Sequence, residues 1–377
     1  MNQAKPMDFT AIYLHIPFCL RKCQYCDFYS LPLGENRSHF MAYPSLLERE
    51  WQLWQEKGAS CTHLRSIYFG GGTPSLLPPE AIDRILRLFP AAEEITLEAN
   101  PETVQEEKLR DFRSAGGNRL SIGVQSFDPN LLKAMGRGHS PAQAKEAVRA
   151  ARAAGFTNVG IDLIYALPGQ TMVQWKQTLA EALALETEHI SLYSLTVSED
   201  CPWGKKHIKP LDEDTAADMA ELAIRLIKDH GFHHYEIANF SKPGYESRHN
   251  TVYWQRENYL GLGPGAASCY GTYRRCHTPA FPQYAAALAK GELPPAEEEY
   301  LSQETVLSEA MFLGLRMLDG VNVAAYEYRY GVNPRQRFKE AIRRLCDAQL
   351  LEDTGEVLRL SEKGLLLADV VFREFVS

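Results

Sequence analysis

The chain has 377 residues, of which 45% are hydrophobic and 23% charged, and its formal net charge is -8 at pH 7. A chain of this length can bury a large core and has room for more than one domain, and its composition is ordinary for a soluble globular protein. The negative charge argues against nonspecific nucleic-acid binding by the whole surface, although a local basic patch could still bind.

The amino-terminal residues carry no recognisable targeting signal. Residues 1–9 lack a basic segment followed by an apolar one, and no later stretch approaches the length of an apolar membrane span. We therefore expect a cytoplasmic protein, in a compartment where thiols stay reduced.

An apolar run at residues 11–16 predicts a buried strand, and three cysteines follow it. Cys19, Cys23 and Cys26 stand at CxxxCxxC spacing. Thiolates packed this tightly on one loop indicate a single soft-metal centre. A cubane iron–sulfur cluster normally takes four cysteine ligands, so three would leave one iron open to bind a small molecule.

Other chemistry remains open for this loop. A structural zinc site needs four ligands, which His15 or Asp27 would have to complete here. A CxxC redox pair does not need a third cysteine, and a disulfide framework is typical of small secreted chains. A cluster accounts best for the spacing, because the remaining cysteines are scattered, at Cys61, Cys201, Cys269, Cys276 and Cys346.

Strands and helices alternate in the part of the chain that follows. Further strands are predicted at residues 66–69, 95–98, 119–124, 158–164 and 189–195. Amphipathic helices are predicted around them, with apolar faces at residues 43–54, 82–89, 103–112, 144–154 and 175–183. Strands alternating with helices indicate a parallel β/α architecture, and near-continuous apolar runs fit strands that are buried on both faces.

Distinctive residues follow the ends of these strands. The sequence GGGTP at residues 70–74 follows the second strand, and Glu98, Gln125 and residues 167–170 lie at or after the ends of the next three. Asp162 lies within the fifth strand. Because the carboxyl ends of the strands form the active-site mouth of a β/α barrel, we expect these residues to meet the cysteines there.

Each of these residues suits a polar ligand but also has an ordinary structural explanation. Consecutive glycines let the main chain approach a ligand closely, although a tight turn by itself needs only one. Glu98 and Asp162 suit ribose hydroxyls or an ammonium group, and could equally belong to structural ion pairs. Gln125 can both donate and accept hydrogen bonds. Arg137 can bind a carboxylate through two nitrogens, although an arginine before a helix is usually just solvated.

Together, these motifs resemble those of the radical S-adenosylmethionine (SAM) enzymes, over roughly residues 13–195. The resemblance implies a partial (β/α)6 TIM-like barrel with a 4Fe–4S cluster whose open iron is chelated by SAM. It also implies reductive cleavage of SAM to methionine and a 5′-deoxyadenosyl radical. The SAM-contacting residues that it implies are Tyr13, Tyr25, Gly71, Gly72, Thr73, Glu98, Gln125, Arg137 and Asp162.

Within that superfamily, the chain is most similar to the oxygen-independent coproporphyrinogen III oxidase group. The similarity rests on YLHIPFC, GVQSF, IDLIYALPGQ and MFLGLR, at residues 13–19, 123–127, 161–170 and 311–316. The members of the oxidase group have in common a fourth cysteine, two residues after the third. This chain has Phe28 at that position. They also have a longer segment before the first cysteine. Both departures count against decarboxylase activity.

A second motif is similar to the HNxxYW pattern of HemW-type haem chaperones. It comprises His249, Asn250, Tyr253 and Trp254. A histidine can bind haem iron through a ring nitrogen, and tyrosine and tryptophan offer flat apolar faces to a porphyrin. Judged alone, a histidine beside aromatic residues is more often an ordinary core or surface residue. The resemblance implies that these four residues bind haem.

The resemblance therefore implies a haem chaperone that binds a 4Fe–4S cluster, SAM and haem b. It would deliver haem to respiratory acceptor proteins and take electrons from a reduced flavodoxin or ferredoxin. The expected partners also include a second copy of the chain, as a homodimer, and a membrane surface contacted transiently. The alternatives are a coproporphyrinogen III oxidase and a radical SAM methyltransferase, and whether SAM is cleaved in the cell stays open.

Two regions are predicted after a barrel at residues 1–200. Residues 201–300 are rich in Gly, Pro and Tyr and weakly periodic, and we expect them to extend the barrel and carry the haem motif. Residues 301–377 predict two helices, a hairpin at residues 350–360 and a last helix at residues 365–372. That order resembles a small α+β winged-helix domain.

No nucleic-acid binding is expected of this last region, although it contains several basic residues. Glu352, Asp353 and Glu356 lie at the tip of the predicted hairpin and would repel phosphates. A solvated helix face accounts better for the basic residues, which are Arg335, Arg337, Lys339, Arg343 and Arg344.

Overall fold

In a computed structural model, residues 7–376 are described, and a large sheet of twelve strands organises them. Residues 1–6, which belong to the segment expected to lack a targeting signal, and residue 377 lie outside the described residues. The strands of the large sheet, in chain order, are β1 (Ala11–Ile16), β2 (Leu64–Gly71), β3 (Ala92–Ala99), β4 (Arg119–Gln125), β5 (Val159–Tyr165), β6 (His189–Ser194), β7 (His233–Glu236), β8 (Asn239–Ser241), β9 (Tyr259–Leu262), β10 (Ala267–Tyr270), β11 (Tyr273–His277) and β12 (Ala296–Tyr300).

The sheet is mostly parallel at its centre and antiparallel at its edges. Its strand order is β7-β8-β6-β5-β4-β3-β2-β1-β9-β10-β11-β12. Strands β1 to β6 and β9 run parallel to one another, whereas β7, β8, β10, β11 and β12 each pair antiparallel with their neighbours. The edge strands β7 and β12 do not pair with each other within residues 7–376, so the sheet is open. The predicted α/β class and the partial barrel of six strands alternating with helices are confirmed.

Helices cover the strands, and local signals in the sequence begin several of them. Ser140 and Thr171 each form a capping box, in which the cap and the third helical residue bond each other's backbone N–H. The helices are α1 (Arg37–Glu56), α2 (Pro79–Leu86), α3 (Glu106–Ser114), α4 (Pro129–Met135), α5 (Pro141–Ala153), α6 (Met172–Leu183), α7 (Pro202–Lys205), α8 (Glu213–Asp229), α9 (Arg248–Trp254), α10 (Phe281–Ala289), α11 (Gln303–Gly314), α12 (Val323–Tyr330), α13 (Pro334–Arg337), α14 (Lys339–Asp347), α15 (Glu362–Leu366) and α16 (Ala368–Arg373).

The main core lies between the sheet and these helices. Every residue of β4 is buried, as expected of a strand covered on both faces. Trp175 of α6 is fully buried, and its ring N–H donates to the carbonyl of Met219 in α8 at 2.9 Å. This rigid centre holds the carboxyl ends of the parallel strands in place, which is where the candidate site lies.

The carboxyl-terminal part has its own buried apolar cluster, which includes Met311, Leu345, Leu358 and Val371. Three strands pair there in the order β13-β15-β14, with β13 at Val321–Asn322, β14 at Leu351–Asp353 and β15 at Val357–Leu360. The predicted hairpin follows helices as expected, but four helices, α11 to α14, precede it within residues 301–376 instead of the two predicted. The prediction of one last helix is wrong, because Leu367 leaves helical geometry (φ -116°, ψ 30°) and divides it into α15 and α16.

Candidate functional site

A cavity of about 400 Å³ opens at the carboxyl ends of the parallel strands. Cys19, Cys23 and Cys26 line it, and we call it the cysteine cavity. Tyr13, which the sequence also assigned to this site, lies in the wall of a second cavity instead. The other residues expected to contact SAM all line the cysteine cavity: Tyr25, Gly71, Gly72, Thr73, Glu98, Gln125, Arg137 and Asp162.

Main-chain hydrogen bonds hold the cysteine loop against distant parts of the fold. The Gln24 N–H donates to the Met135 carbonyl at 2.9 Å, and the Trp203 N–H donates to the Gln24 carbonyl at 2.8 Å. At the base of the loop, the Leu31 N–H donates to the Pro17 carbonyl at 2.6 Å. The position of the cysteines therefore depends on helices α4 and α7 as well as on β1.

Side chains donate hydrogen bonds to two of the cysteine sulfurs. Thr73 Oγ1 lies 3.5 Å from Cys19 Sγ, and Arg137 Nη1 lies 3.6 Å from Cys23 Sγ. Burial raises the pKa of Cys19, and it raises the pKa of Cys26 to about 11. Those two thiols therefore keep their protons at neutral pH until a metal centre displaces them. Cysteine sulfurs beside a threonine hydroxyl and a guanidinium form a donor set that fits a thiolate-bound metal.

The arrangement of the three cysteines fits a cluster. Among residues 7–376, no group of three or more His, Cys, Asp or Glu side chains is arranged to hold one metal ion. In an iron–sulfur cluster each cysteine binds a different iron, so the ligands need not converge on one point. Three cysteines lining one cavity fit that requirement.

The glycine-rich turn after β2 lies directly against the cysteine loop. The Gly72 N–H donates to the Ile16 carbonyl at 2.9 Å, and the Thr73 N–H donates to the Phe18 carbonyl at 2.8 Å. Gly71 has a φ of +103°, which favours glycine, and its N–H donates to Glu98 Oε2 at 3.2 Å. The turn thus joins the cysteine loop to the carboxylate at the end of β3.

We expect Gly72→Ala to lower the free energy of unfolding by about 1–3 kcal/mol. A Cβ at this position would lie 2.7 Å from the Phe18 carbonyl oxygen and 2.8 Å from that of Ile16, and these backbone atoms cannot move aside independently. Urea denaturation measures the change. Gly34→Ala is the control, because a Cβ there would meet nothing within 4 Å. Equal unfolding midpoints for both variants would contradict this close approach.

Two half-buried carboxylates, Glu98 and Asp162, also line the cysteine cavity. Glu98 accepts a hydrogen bond from Tyr68 OH at 2.7 Å, and Asp162 accepts one from Ser121 Oγ at 3.1 Å. Burial raises the pKa of Glu98 to about 7 and also raises the pKa of Asp162. A ligand that offers hydroxyl or ammonium donors would offset the cost of ionising these groups.

Several polar atoms of the cavity have no partner within the described chain. Gln125 Oε1 and Arg137 Nε are buried and make no hydrogen bond there. An unpaired buried polar atom is costly, so these atoms fit a site that receives a polar ligand. Arg137 is otherwise fixed, because its Nη2 donates to Asn100 Oδ1 at 2.7 Å and to the Gly123 carbonyl.

Sequence reasoning missed some residues of this wall, among them Asn100, Ser121 and Tyr193. Asn100 donates through Nδ2 to Thr73 Oγ1 at 3.1 Å, so it connects the residues that touch Cys19 and Cys23. It directly follows β3, and that position was the available signal. Tyr193 gave no signal, because a tyrosine in a buried strand usually packs in the core.

A second cavity, of about 860 Å³, lies between the start of the sheet and the carboxyl-terminal part. We call it the aromatic cavity. Tyr253 and Trp254 of the predicted haem motif line it, whereas His249 and Asn250 do not. Its other walls come from β1, from the strands β9 and β10, and from α11, and they include Tyr13, His15, Tyr259, Cys269, Phe312 and Leu313.

His249 lies behind the wall of the aromatic cavity. Its Nδ1 lies 2.8 Å from Ser66 Oγ, and its Nε2 lies 2.7 Å from Tyr253 OH. Its ring stacks on that of Tyr68, with centroids 4.8 Å apart. Burial lowers the pKa of His249 to about 3, so the ring is neutral. Both ring nitrogens are engaged, and neither is free to bind iron in this conformation.

These contacts form a continuous column between the two cavities. Glu98, in the wall of the cysteine cavity, accepts from Tyr68; Tyr68 stacks on His249; and His249 bonds Tyr253 in the wall of the aromatic cavity. The motif histidine therefore supports Tyr253 and connects it to the strand that ends at the glycine turn.

Comparison with known proteins agrees with this architecture. The profile of the radical SAM superfamily matches residues 13–182, and that of the HemN C-terminal domain matches residues 301–367. The solved structure of coproporphyrinogen III oxidase (HemN) from Escherichia coli superimposes with a TM-score of 0.85, covering 99% of this chain and 91% of that one, at 22% sequence identity. The fold and the cysteine cavity thus define a radical SAM protein with a HemN-like carboxyl-terminal domain.

Comparison with related sequences shows to which family of radical SAM proteins the chain belongs. The heme chaperone HemW of Lactococcus lactis subsp. lactis (strain IL1403) is 36% identical, over 97% of this chain and 96% of that protein. The heme chaperone HemW of Bacillus subtilis (strain 168) is 34% identical, over 97% and 98%. The chain therefore belongs to the HemW family. Among its described residues, no helix has the length and apolar character needed to cross a membrane.

Proposed function

We propose that this chain is a haem chaperone that holds a 4Fe–4S cluster and SAM in its cysteine cavity and haem b in its aromatic cavity. Its membership in the HemW family supports the proposal, since relatives over nearly the whole chain are named heme chaperones. The observation that carries it is the aromatic cavity, whose wall contains Tyr253 and Trp254 of the HNxxYW segment.

In this proposal, Cys19, Cys23 and Cys26 hold the cluster. When bound, such a cluster supplies one-electron chemistry and an open iron for a small chelating ligand. Thr73 and Arg137 orient two of the sulfurs through their hydrogen bonds. The remaining predicted contacts, in particular the carboxylates of Glu98 and Asp162, would bind the hydroxyl and ammonium groups of SAM.

The aromatic cavity supplies flat apolar surfaces for a porphyrin. Tyr253 packs edge-on against Tyr259, with centroids 4.6 Å apart, and both rings line the cavity. The Arg316 guanidinium lies 4.1 Å from the ring of Trp254 and braces it. His249 contributes by fixing the orientation of Tyr253, and it would have to give up its hydrogen bond to Tyr253 or Ser66 to bind iron.

Phe28 distinguishes this proposal from a coproporphyrinogen III oxidase. The oxidases share a fourth cysteine at the position that Phe28 occupies in this chain. The Phe28 side chain is 64% exposed. Phe28 and Asp27 line both cavities, so the end of the cysteine loop separates the cluster side from the haem side.

The proposed partners follow from this role. Haem would pass to respiratory acceptor proteins in the cytoplasm or at a membrane surface that the chaperone contacts transiently. A reduced flavodoxin or ferredoxin would supply electrons to the cluster, and two copies of the chain would form a homodimer. Residues 201–300 would carry the haem site and residues 301–377 would close the aromatic cavity, since Glu309, Phe312 and Leu313 belong to its wall.

Haem titration of wild-type protein and Trp254→Ala tests this function. We expect the variant to bind haem roughly three- to tenfold more weakly, because one aromatic face is lost from the cavity wall. Soret absorbance measures both affinities. Tyr328→Ala is the control, since that ring is 95% exposed and does not line the cavity. Unchanged affinity in Trp254→Ala would remove the aromatic cavity from the proposal.

His249→Ala is the companion variant in the same titration. If His249 acts from behind Tyr253, the variant binds haem more weakly but keeps the Soret maximum of the wild type. A shifted Soret maximum would show instead that the imidazole reaches the iron when haem is bound.

A further inference from the structure

Two arginines form salt bridges with a single carboxylate in the wall of the aromatic cavity. Arg256 Nε lies 3.1 Å from Glu309 Oε2, and Arg274 Nη2 contacts Glu309 Oε1. All three residues line the cavity. The group therefore carries one more positive than negative charge.

The pairing of the strands explains why this group faces the cavity. Cys269 of β10 lies opposite Tyr259 of β9 and opposite Arg274 of β11, and Arg274 lies opposite Glu299 of β12. Residues that lie opposite each other in neighbouring strands point to the same face of the sheet. The row thus places the Arg274 side chain on the same face of the sheet as Tyr259, with Cys269 between them, and Glu309 reaches Arg274 from α11.

Arg256 is held in place but not fully paired. Arg256 is 8% exposed, and its Nη2 has no hydrogen-bond partner within residues 7–376. The Arg329 guanidinium donates to the backbone carbonyls of Gln255 and Arg256, at 2.6 and 2.8 Å, and so anchors this segment. A buried guanidinium with an unpaired N–H is costly unless an acceptor reaches it.

The acidic residues nearby leave the excess positive charge largely uncompensated. Glu257 lines the cavity but pairs with Arg65 at 2.7 Å. Glu299 lies 3.5 Å from Arg274 Nη1, and its side chain is 59% exposed, where water screens the interaction. Asp27, the remaining carboxylate of the wall, belongs to the cysteine loop, whereas Arg274 lies in β11 and Arg256 in the turn after α9.

We propose that Arg256 and Arg274, held by Glu309, form an anion subsite of the aromatic cavity that binds a carboxylate of the ligand. The inference rests on the proposed function, in which the ligand is haem and the carboxylates are its propionates. Guanidinium groups suit this task because their planar N–H groups match a carboxylate in geometry and charge. The propionates would then point toward β11 and α11, and the opposite edge of the porphyrin would face the cysteine loop.

A comparison of haem with haem dimethyl ester tests the subsite, because esterification removes both carboxylate charges and leaves the ring and iron unchanged. We expect the wild-type protein to bind haem about tenfold more tightly than the ester. In Arg274→Met, where Glu309 neutralises Arg256, the preference should fall to within about twofold. Arg343→Met is the control, because Arg343 pairs with Glu340 on an exposed helix face and should leave the preference unchanged.

The outcomes separate this inference from the function on which it rests. Equal affinity of the wild-type protein for haem and its ester would refute the anion subsite but not the haem site. Arg256, Arg274 and Glu309 would then have only a structural role, in which they join the sheet to α11. A full preference retained in folded Arg274→Met would overturn the assignment to these arginines. If the wild-type protein bound neither compound, the proposed function and the subsite would fail together. The wild-type comparison needs no variant, so a misfolded Arg274→Met would still leave the inference testable.

Discussion

Replacing any one of Cys19, Cys23 and Cys26 with serine is expected to abolish the brown 4Fe–4S chromophore. Only three cysteines line the cavity at the strand ends, so the loss of one leaves two iron corners without a protein ligand. A serine hydroxyl is a harder and far less acidic ligand than a thiol, and it does not replace a thiolate at iron. The effect should be complete and not graded.

Anaerobic reconstitution followed by absorption and EPR spectroscopy, with and without SAM, measures this result. Cys346→Ser is the control, since Cys346 lies in α14 and outside both cavities. Metal analysis of the same samples measures whether the protein binds zinc in place of iron. A full 4Fe–4S spectrum in any of the three variants would refute the ligand assignment, and stoichiometric zinc in place of iron in the wild-type protein would refute the cluster itself.

SAM affinity is expected to fall by about tenfold as the pH is lowered from 8 to 6, through protonation of Glu98. Burial raises the pKa of this carboxyl to about 7, so the charged form predominates at pH 8 and the neutral form at pH 6. The charged form accepts hydrogen bonds at both oxygens and attracts the positive charge of SAM, whereas protonation turns one oxygen into a donor and removes the charge. Glu98→Gln should bind SAM weakly at both values and lose this component of the pH dependence.

Equilibrium binding of SAM to reconstituted protein, measured across this range, gives the comparison. Glu340→Gln is a control, because its side chain pairs with Arg343 at the surface.

The raised pKa of Glu98 also affects the stability of the protein without SAM. Since the folded state binds more protons than the unfolded state between pH 4.5 and about 7, its stability should decrease as the pH rises through that window, and less so in Glu98→Gln. Parallel pH profiles for wild type and Glu98→Gln would rule out this role.

The sequence was most informative where one local signal is enough. The strands β2 to β6 were predicted within two or three residues, because short, near-continuous apolar runs between helical patterns are typical of buried parallel strands. Their alternation with helices then placed the cysteines, the glycine turn and Glu98 at one edge of the sheet. That deduction needs only the rule that parallel strands end on the same side.

Strands β9 to β12 were not predicted, for a physical reason. They contain four or five residues each, and their partners are set by distant chain segments; β9, at Tyr259–Leu262, pairs with β1, at Ala11–Ile16. Short strands at the edge of a sheet bury little apolar surface, so their sequences carry weak periodicity. The aromatic cavity depends on these strands and was therefore invisible from composition and spacing.

The amino-acid sequence by itself determined the class of fold, the cysteine loop and most of the residues around it, since these follow from local apolar patterns and the direction of parallel strands. Only the tertiary structure decided that Tyr13 belongs to the second cavity, that His249 lies behind Tyr253 with both nitrogens engaged, and that Arg256, Arg274 and Glu309 share one wall. Those relations join residues far apart in the chain. They arise from strand register and the packing of α11 against the sheet, which no local pattern encodes.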